Sequence, residues 1–313
     1  MKKDNPLLGM TLMLGFCILA PLADAIAKLL GDRVPIAQLV FFRFAIQLAV
    51  LAPLMFATGR TWQMTRAVCA LAALRTVMHI VGIAMMVTAV RHLPLADAVA
   101  IAFIMPFLIL ILGKLLLNEE VGLRRLGACA VGFAGTLMVV QPAFQTFGWP
   151  ALLPLGVAVN FSLFMIATRR MARDIDAISL QAVSGLMAVV IVGPVLLVMP
   201  AGVAAELAWV GFPEGTTGLL LGMGVIGTFA HLLMTWSLRY APGATLAPMQ
   251  YLELPFAMVL GFVLFNELPN PLATVGICVI MAAGLFIFIR ERATQRALRG
   301  DLAPEPGAIP AAE

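Results

Sequence analysis

Residues 104–140 read IMPFLILILGKLLLNEEVGLRRLGACAVGFAGTLMVV, and residues 254–288 read LPFAMVLGFVLFNELPNPLATVGICVIMAAGLFIF. Each stretch opens on a proline in an apolar run, breaks at Asn-Glu (118–119 and 266–267) and resumes as a glycine-spaced apolar run. The Asn-Glu pairs, and the RHLP and RYAP segments at 91–94 and 239–242, lie 148 positions apart. Pro106 and Pro255, Gly127 and Gly276, and Gly135 and Gly284 match at 149. Self-similarity at one spacing over so much of the chain is the mark of a duplicated unit.

Outward from these copies the whole chain has the same texture. Of its 313 residues 62% are hydrophobic and 12% charged, about half the charge of an ordinary soluble domain. The apolar residues run in stretches of about twenty, the length that crosses a ~30 Å hydrocarbon core. Charged and Pro/Gly-marked breaks divide them into ten predicted spans: 8–29, 36–57, 67–90, 94–117, 122–141, 149–171, 178–200, 216–240, 243–266 and 270–290. The fold class is therefore an all-α membrane protein of ten transmembrane helices. The first apolar segment is too long for a cleaved signal peptide and is expected to remain as a helix.

An even number of spans puts both termini on one side, and Lys and Arg collect in loops that stay in the cytoplasm. With the termini inside, fourteen Lys and Arg fall in cytoplasmic segments, and only Arg33 and Arg91 outside. Lys28, Arg43, Arg75 and Lys114 fall within spans. Five spans per half is odd, so the second half enters the membrane from the opposite side and the duplication is an inverted one. The expected division is 1–145 for the first repeat, 146–292 for the second, and 293–313 for a disordered cytoplasmic tail rich in Pro and Ala. Inverted repeats are the architecture of alternating-access carriers, with a site near mid-membrane where the halves meet. The expected partners are the lipid bilayer and a small-molecule substrate, in the inner membrane of a bacterial cell.

A net charge of +4 does not point to nucleic acid, because the basic residues form no patch with interleaved aromatics. Cys17, Cys69, Cys129 and Cys278 show no metal-ligand spacing and read as packing residues. GxSxG, Walker and HExxH patterns are missing from the sequence, so an enzyme is not expected and no cofactor is invoked. An intramembrane enzyme would have to use Asp24, His79, His231 and Glu253, and the two histidines sit isolated on separate spans. The glycine runs of the fifth and tenth spans suit close helix approach within the chain, or equally a homodimer contact.

Ionisable side chains at membrane depth are functional candidates by default. Glu253 lies about mid-depth in the ninth span, one turn from Gln250 and between Pro248 and Pro255, which suggests a broken segment at a binding site. Arg75 and His79 share a face of the third span, and either is the expected partner of Glu253 as substrate or proton acceptor. His231 is a further candidate. Asp24 and Lys28 form an i,i+4 pair, with Asp24 toward the outer vestibule and Lys28 free to snorkel. Arg43 reads as structural, and Asp97 as a carboxylate at the positive end of the fourth helix. Glu119 and Glu267 occupy equivalent turns and read as gate or turn-capping residues.

With a proline-containing run, a Glu-bearing turn and a glycine-spaced helix occurring twice, and Lys28 and Arg43 in the early spans, the chain resembles the drug/metabolite transporter superfamily, in its EamA-like ten-helix branch. The resemblance implies a central cavity lined by spans 1, 3, 4, 6, 8 and 9, and movement of small metabolites without ATP. The stretch NPLLGMTLMLGFCILAPLADAIAKLLGD at 5–32 is similar to bacterial carriers associated with riboflavin uptake. A flavin ring and its ribityl chain would call on Trp236, Tyr251, Phe103, Phe161, Gln250 and Asn160 for stacking and hydrogen bonds. Amino-acid export and S-adenosylmethionine uptake are the alternatives within the same branch.

Overall fold

The computed structural model describes residues 5–118, 122–172, 174–198 and 205–300. It is all-helical: α1 (Pro6–Leu30), α2 (Ile36–Ala57), α3 (Arg66–His92), α4 (Leu95–Ala102), α5 (Met105–Leu117), α6 (Leu123–Phe147), α7 (Leu153–Met171), α8 (Ala177–Val198), α9 (Thr216–Tyr240), α10 (Gly243–Leu246), α11 (Glu253–Phe265) and α12 (Pro271–Gly300). Among the described residues eight helical segments are long and apolar enough to cross a bilayer, α4 and α5 counting as one, and 249–265 and 271–286 are shorter apolar helices. These are the ten segments read from the sequence.

Local chemistry starts and stops the rods where expected. The Asn5 and Thr65 side chains accept from Leu8 N and Val68 N at the first turns of α1 and α3, satisfying amides that have no carbonyl four residues back. At the other ends of α5 and α11, Asn118 and Asn266 adopt the left-handed conformation at φ 53° and 54°, the two non-glycine positive φ values among the described residues. Both helices have 13 residues and both are closed by this asparagine. The duplicated Asn-Glu is thus a duplicated helix stop.

The packing is duplicated as well. The dominant helix pairs are α1 with α9, α6 with α12, α2 with α8 and α3 with α7. Exchanging the halves, so that α1, α2, α3 and α6 become α7, α8, α9 and α12, turns the first pair into the last and leaves the middle two unchanged. Two sets of cross-contacts fix which ends lie together. At the terminal face Asn5 N donates to Tyr240 O, and Asp176 meets Arg60 and Arg239. At the opposite, distal face Lys28 meets Glu267, and Arg91 meets Glu206 and Val34 O. Between the two faces the outer surface carries Leu74, Val81, Val131, Leu137, Val190 and Val259 exposed, an apolar girdle suited to acyl chains rather than water.

Two expectations about scaffold residues change, those for the tail and for the cysteines. The glycines of the fifth and tenth spans pack within the chain: a Cβ on Gly135 would lie 2.7 Å from Gly276 O, and one on Gly276 would lie 2.9 Å from Met138 Cβ. Helices α6 and α12 cross there at backbone contact. Residues 293–300, assigned to the tail, continue α12, as strong helix formers such as Arg, Gln, Ala and Leu favour; 301–313 lie outside the described residues. Cys17 and Cys129 are buried, but Cys69 and Cys278 face outward and pack nothing in the core.

Gly135→Ala is expected to push α6 and α12 apart and cost about 1–3 kcal/mol, the range of an overpacking substitution. Thermal unfolding in detergent tests this against Gly222→Ala, where the new methyl would meet only Ile26 Cδ1 at 3.8 Å and stability should hold.

Candidate functional site

Two of the ten rods are broken. The fourth loses its α-helical register at Phe103 and Ile104, between α4 and α5; the ninth winds as a 3-10 helix over Ala247–Leu252, between α10 and α11. Pro106 sits in the first turn of α5, and the 3-10 segment carries a proline in its own first turn. Because proline cannot donate to the preceding turn, both breaks follow from local sequence. The second was expected from Pro248 and Pro255; the first was not, although Pro106 is its match in the other copy.

A cavity lies against both breaks. Its wall is drawn from α1, α3, α4, α5, α7, α9 and α11, with Arg43 entering from α2. The polar groups that reach it are Asp24, Arg43, His79, Asn160, His231 and Glu253. The rest of the wall is apolar, with Phe16, Phe103, Phe161 and Phe164 as its aromatic faces. Phe16 and Phe161 stack at 6.0 Å and 18°, and Phe161 and Phe164 at 5.5 Å and 27°. On the distal side Ala27, Val87 and Met223 belong to a buried apolar cluster with Leu30, Val34, Leu39 and Leu220.

Glu253 opens α11, is 7% exposed, and its Oε2 has no hydrogen-bond partner among the described residues. The carboxylate that acts on it electrostatically is Asp24 of α1, on the same wall space. The expected pairing of Glu253 with Arg75 or His79 is not made. Arg75 points away from the cavity, toward Thr168, Ser184 and Thr235, and neither ring nitrogen of His79 has a partner among the described residues. Mid-depth alone does not make two groups neighbours, because the face each helix turns inward decides it.

Arg43, read as structural, is the cation the cavity does hold. Its guanidinium donates to Gln47 Oε1 at 3.1 Å and reaches His231 Nδ1 at 3.2 Å, and Asp24 is the carboxylate that attracts it. His231 Nδ1 also lies 3.2 Å from Gly227 O. Arginine only donates and a carbonyl only accepts, so Nδ1 can satisfy one of them at a time. With its proton on Nε2 the ring accepts from Arg43; with the proton on Nδ1 it turns to Gly227. His79 stacks against this ring at 4.2 Å, with Phe44 and Phe164 packed around it.

The remaining candidates divide between the cavity and the scaffold. Asn160 lines the cavity and donates to Met78 O at 2.7 Å, and Phe103 and Phe161 line it too. Gln250 is buried against Met165 Sδ. Tyr251 is wedged between Gly132 and Gly284. The 3-10 winding turns residues 247–252 by a different angle per residue than an α-helix would, so these two side chains face the scaffold. Trp236 packs on the Leu51, Met55 and Leu232 cluster. Lys28 does not snorkel; it bonds Glu267 Oε1 at 2.6 Å and Leu93 O at 2.7 Å. Glu267 in turn accepts from Leu95 N at 3.1 Å, capping α4 from the other half. Asp97 makes no cap bond, and its Oδ1 is unpartnered among the described residues. Glu119 lies outside the described residues.

A cavity between two copies of one unit, each copy broken beside it, is the geometry of a transporter rather than of a soluble-type active site. The EamA-like transporter family model matches residues 7–141 and again 148–289. The chain belongs to the EamA-like transporter family. It is 29% identical over 223 residues to a riboflavin transporter of Rhizobium johnstonii, covering 71% of each chain. It is 24% identical over 276 residues to an S-adenosylmethionine uptake transporter of Rickettsia prowazekii, covering 86% of this chain and 88% of that one. One solved crystal structure superposes with a TM-score of 0.66 at 19% identity, over 92% of this chain and 97% of the other, a likeness of fold alone. Membership makes this a multi-span membrane transporter with a small-molecule substrate.

The seat of Arg43 depends on Gly227, since a Cβ there would lie 2.7 Å from Arg43 Cζ. Gly227→Ala is expected to displace the guanidinium from His231 and lower transport about tenfold, the equivalent of one charge-assisted hydrogen bond. Uptake assays on protein matched for folded yield read this out.

Proposed function

We propose that the chain is a secondary carrier of the bacterial inner membrane, with its N- and C-termini in the cytoplasm. Residues 1–145 and 146–292 are its two inverted halves, and they rock about the cavity to expose it to either side in turn. The observation that carries this reading is the pair of helix breaks flanking one cavity that holds Asp24, Arg43 and Glu253. Charged groups at membrane depth are costly unless a ligand or an ion answers them. The packing pattern that survives exchange of the halves supplies two equivalent arrangements of the same contacts, which alternating access requires. The excess of Lys and Arg in the terminal-face loops supports the orientation.

The substrate this cavity suits is a flat, polar heteroaromatic metabolite. Phe16, Phe161 and Phe103 offer ring faces, and Asn160, Asp24 and Glu253 offer partners for hydroxyl and imide groups. Riboflavin, taken up, is the first candidate, in keeping with the Rhizobium relative. A specific observation favours a second reading: two carboxylates share the cavity with one arginine, which suits a zwitterion carrying an extra positive charge, as S-adenosylmethionine does. In this reading Glu253 is the coupling or substrate-binding carboxylate, with Asp24 beside it.

Growth of a riboflavin-auxotrophic bacterium at low vitamin concentration, with and without this chain, tests the first candidate, and rescue is expected. Glu253→Gln should abolish the rescue while folded protein stays in the membrane. Failure of the wild-type chain to rescue, with labelled S-adenosylmethionine accumulating in vesicles instead, moves the assignment to the second candidate. Unimpaired transport by a well-expressed Glu253→Gln removes that carboxylate from the site.

A further inference from the structure

Below the cavity floor, toward the terminal face, lies a second charged site that the cavity does not reach. Arg75 is fully buried, and its Cζ sits 4.3 Å from the centroid of the Phe164 ring. Phe164 also lines the cavity, so one aromatic ring separates the two. The Arg75 guanidinium donates to Thr168 Oγ1 at 2.7 Å, Ser184 Oγ at 3.1 Å and Thr235 Oγ1 at 3.5 Å. Thr168 and Thr235 pass their own protons to Phe164 O and His231 O. The cation is therefore met by neutral hydroxyls, and no carboxylate pairs with it among the described residues.

Such an arrangement is expensive as packing. A guanidinium in a membrane interior without a counter-charge costs several kcal/mol, and an apolar side chain of similar volume would avoid that cost. Its geometry also divides along the plane of the repeat. Arg75 belongs to α3 of the first half, whereas Thr168, Ser184 and Thr235 belong to α7, α8 and α9 of the second. Any rocking of the halves that parts α3 from these helices breaks all three bonds together. A continuous set of buried side chains joins the site to the cavity: Arg43 donates to Gln47, Gln47 to Gln181 O, and Gln181 to Thr235.

We propose that Arg75, with Thr168, Ser184 and Thr235, forms a second substrate subsite, closed here, that takes an accepting oxygen of the substrate when the terminal side opens. The carrier reading above is its premise. The oxygen is a carboxylate or a conjugated carbonyl, the groups that a guanidinium fork bonds best. The substrate would pass Phe164 from the Arg43 site to the Arg75 site, and the hydroxyls released by Arg75 would serve its other polar groups.

The test uses membrane vesicles with the terminal face outward and the full chain carrying Ser184→Cys. Labelling by the anionic reagent methanethiosulfonate ethylsulfonate is measured, with the parent chain's labelling subtracted. Labelling is expected to rise about tenfold while riboflavin or S-adenosylmethionine cycles across the membrane, and to stop transport. Riboflavin offers the site imide carbonyls and S-adenosylmethionine a carboxylate, so the probe that moves names the oxygen. Arg75→Gln should keep calorimetric binding of that probe within about twofold, lower its transport about tenfold, and be partly rescued by Arg75→Lys. Transport at the parental rate by Arg75→Gln, or a Ser184→Cys that never reacts while the probe is transported, overturns the subsite and leaves the cluster as packing. If the parent chain moves neither probe, the carrier reading itself fails, and the subsite with it.

Discussion

Backbone amides and charged side chains inside a hydrocarbon slab have no water to turn to, and everything particular about this molecule follows from where that constraint is met and where it is not. Along most of the chain it is met trivially, by unbroken helices with apolar outer faces. At two places the helices break, and there the backbone is enclosed by the other rods rather than exposed to lipid. The cavity lies against these breaks because irregular backbone at membrane depth is tolerated where it is buried in protein or faces a space that holds water or ligand.

Different buried charges meet the same constraint in different ways, and the differences sort their roles. Lys28 and Glu267 are paired at 2.6 Å, with a backbone amide and a carbonyl completing the set; this is a closed account that ties α1 and the start of α4 to the other half. Arg43 is met partly by Gln47 and His231 and partly by a carboxylate across the cavity, so it is held but not saturated. Glu253 is left with an oxygen unmet. The gradient from paired to unmet runs from the distal rim to the cavity, where a substrate or proton can complete the set.

Reading the sequence recovered what depends on periodicity and composition, and lost what depends on which way a helix faces. The ten segments were legible because apolar runs leave marks in one dimension. The break at 247–252 was legible from its prolines. Glu253, His79, His231, Asp24 and Asn160 line the cavity, as polar residues in an apolar run have few other places to go. The pairing of Glu253 with Arg75 was lost because it needs relative helix rotation, which no spacing in a single sequence records. Gln250 and Tyr251 were misplaced because the segment that carries them winds as a 3-10 helix, and an α-helical wheel drawn through it assigns the wrong face. The signal for Arg43 was present: it lies deeper than a snorkelling residue requires, and depth could have outweighed proximity to the interface.

Arg75 and Tyr251 show how the scaffold and the site share one design. Tyr251 lies two residues before Glu253 in sequence and is clamped between Gly132 of α6 and Gly284 of α12, so the broken segment is anchored to the α6/α12 crossing. That crossing, like α2 with α8, maps onto itself when the halves exchange, and in the proposed carrier such a contact is one that rocking displaces least. Arg75 lies off that axis, bonded only across the halves. In the proposed rocking motion Gly135 and Gly276 stay in contact while Arg75 parts from its hydroxyls, and a ligand would replace what the motion removes.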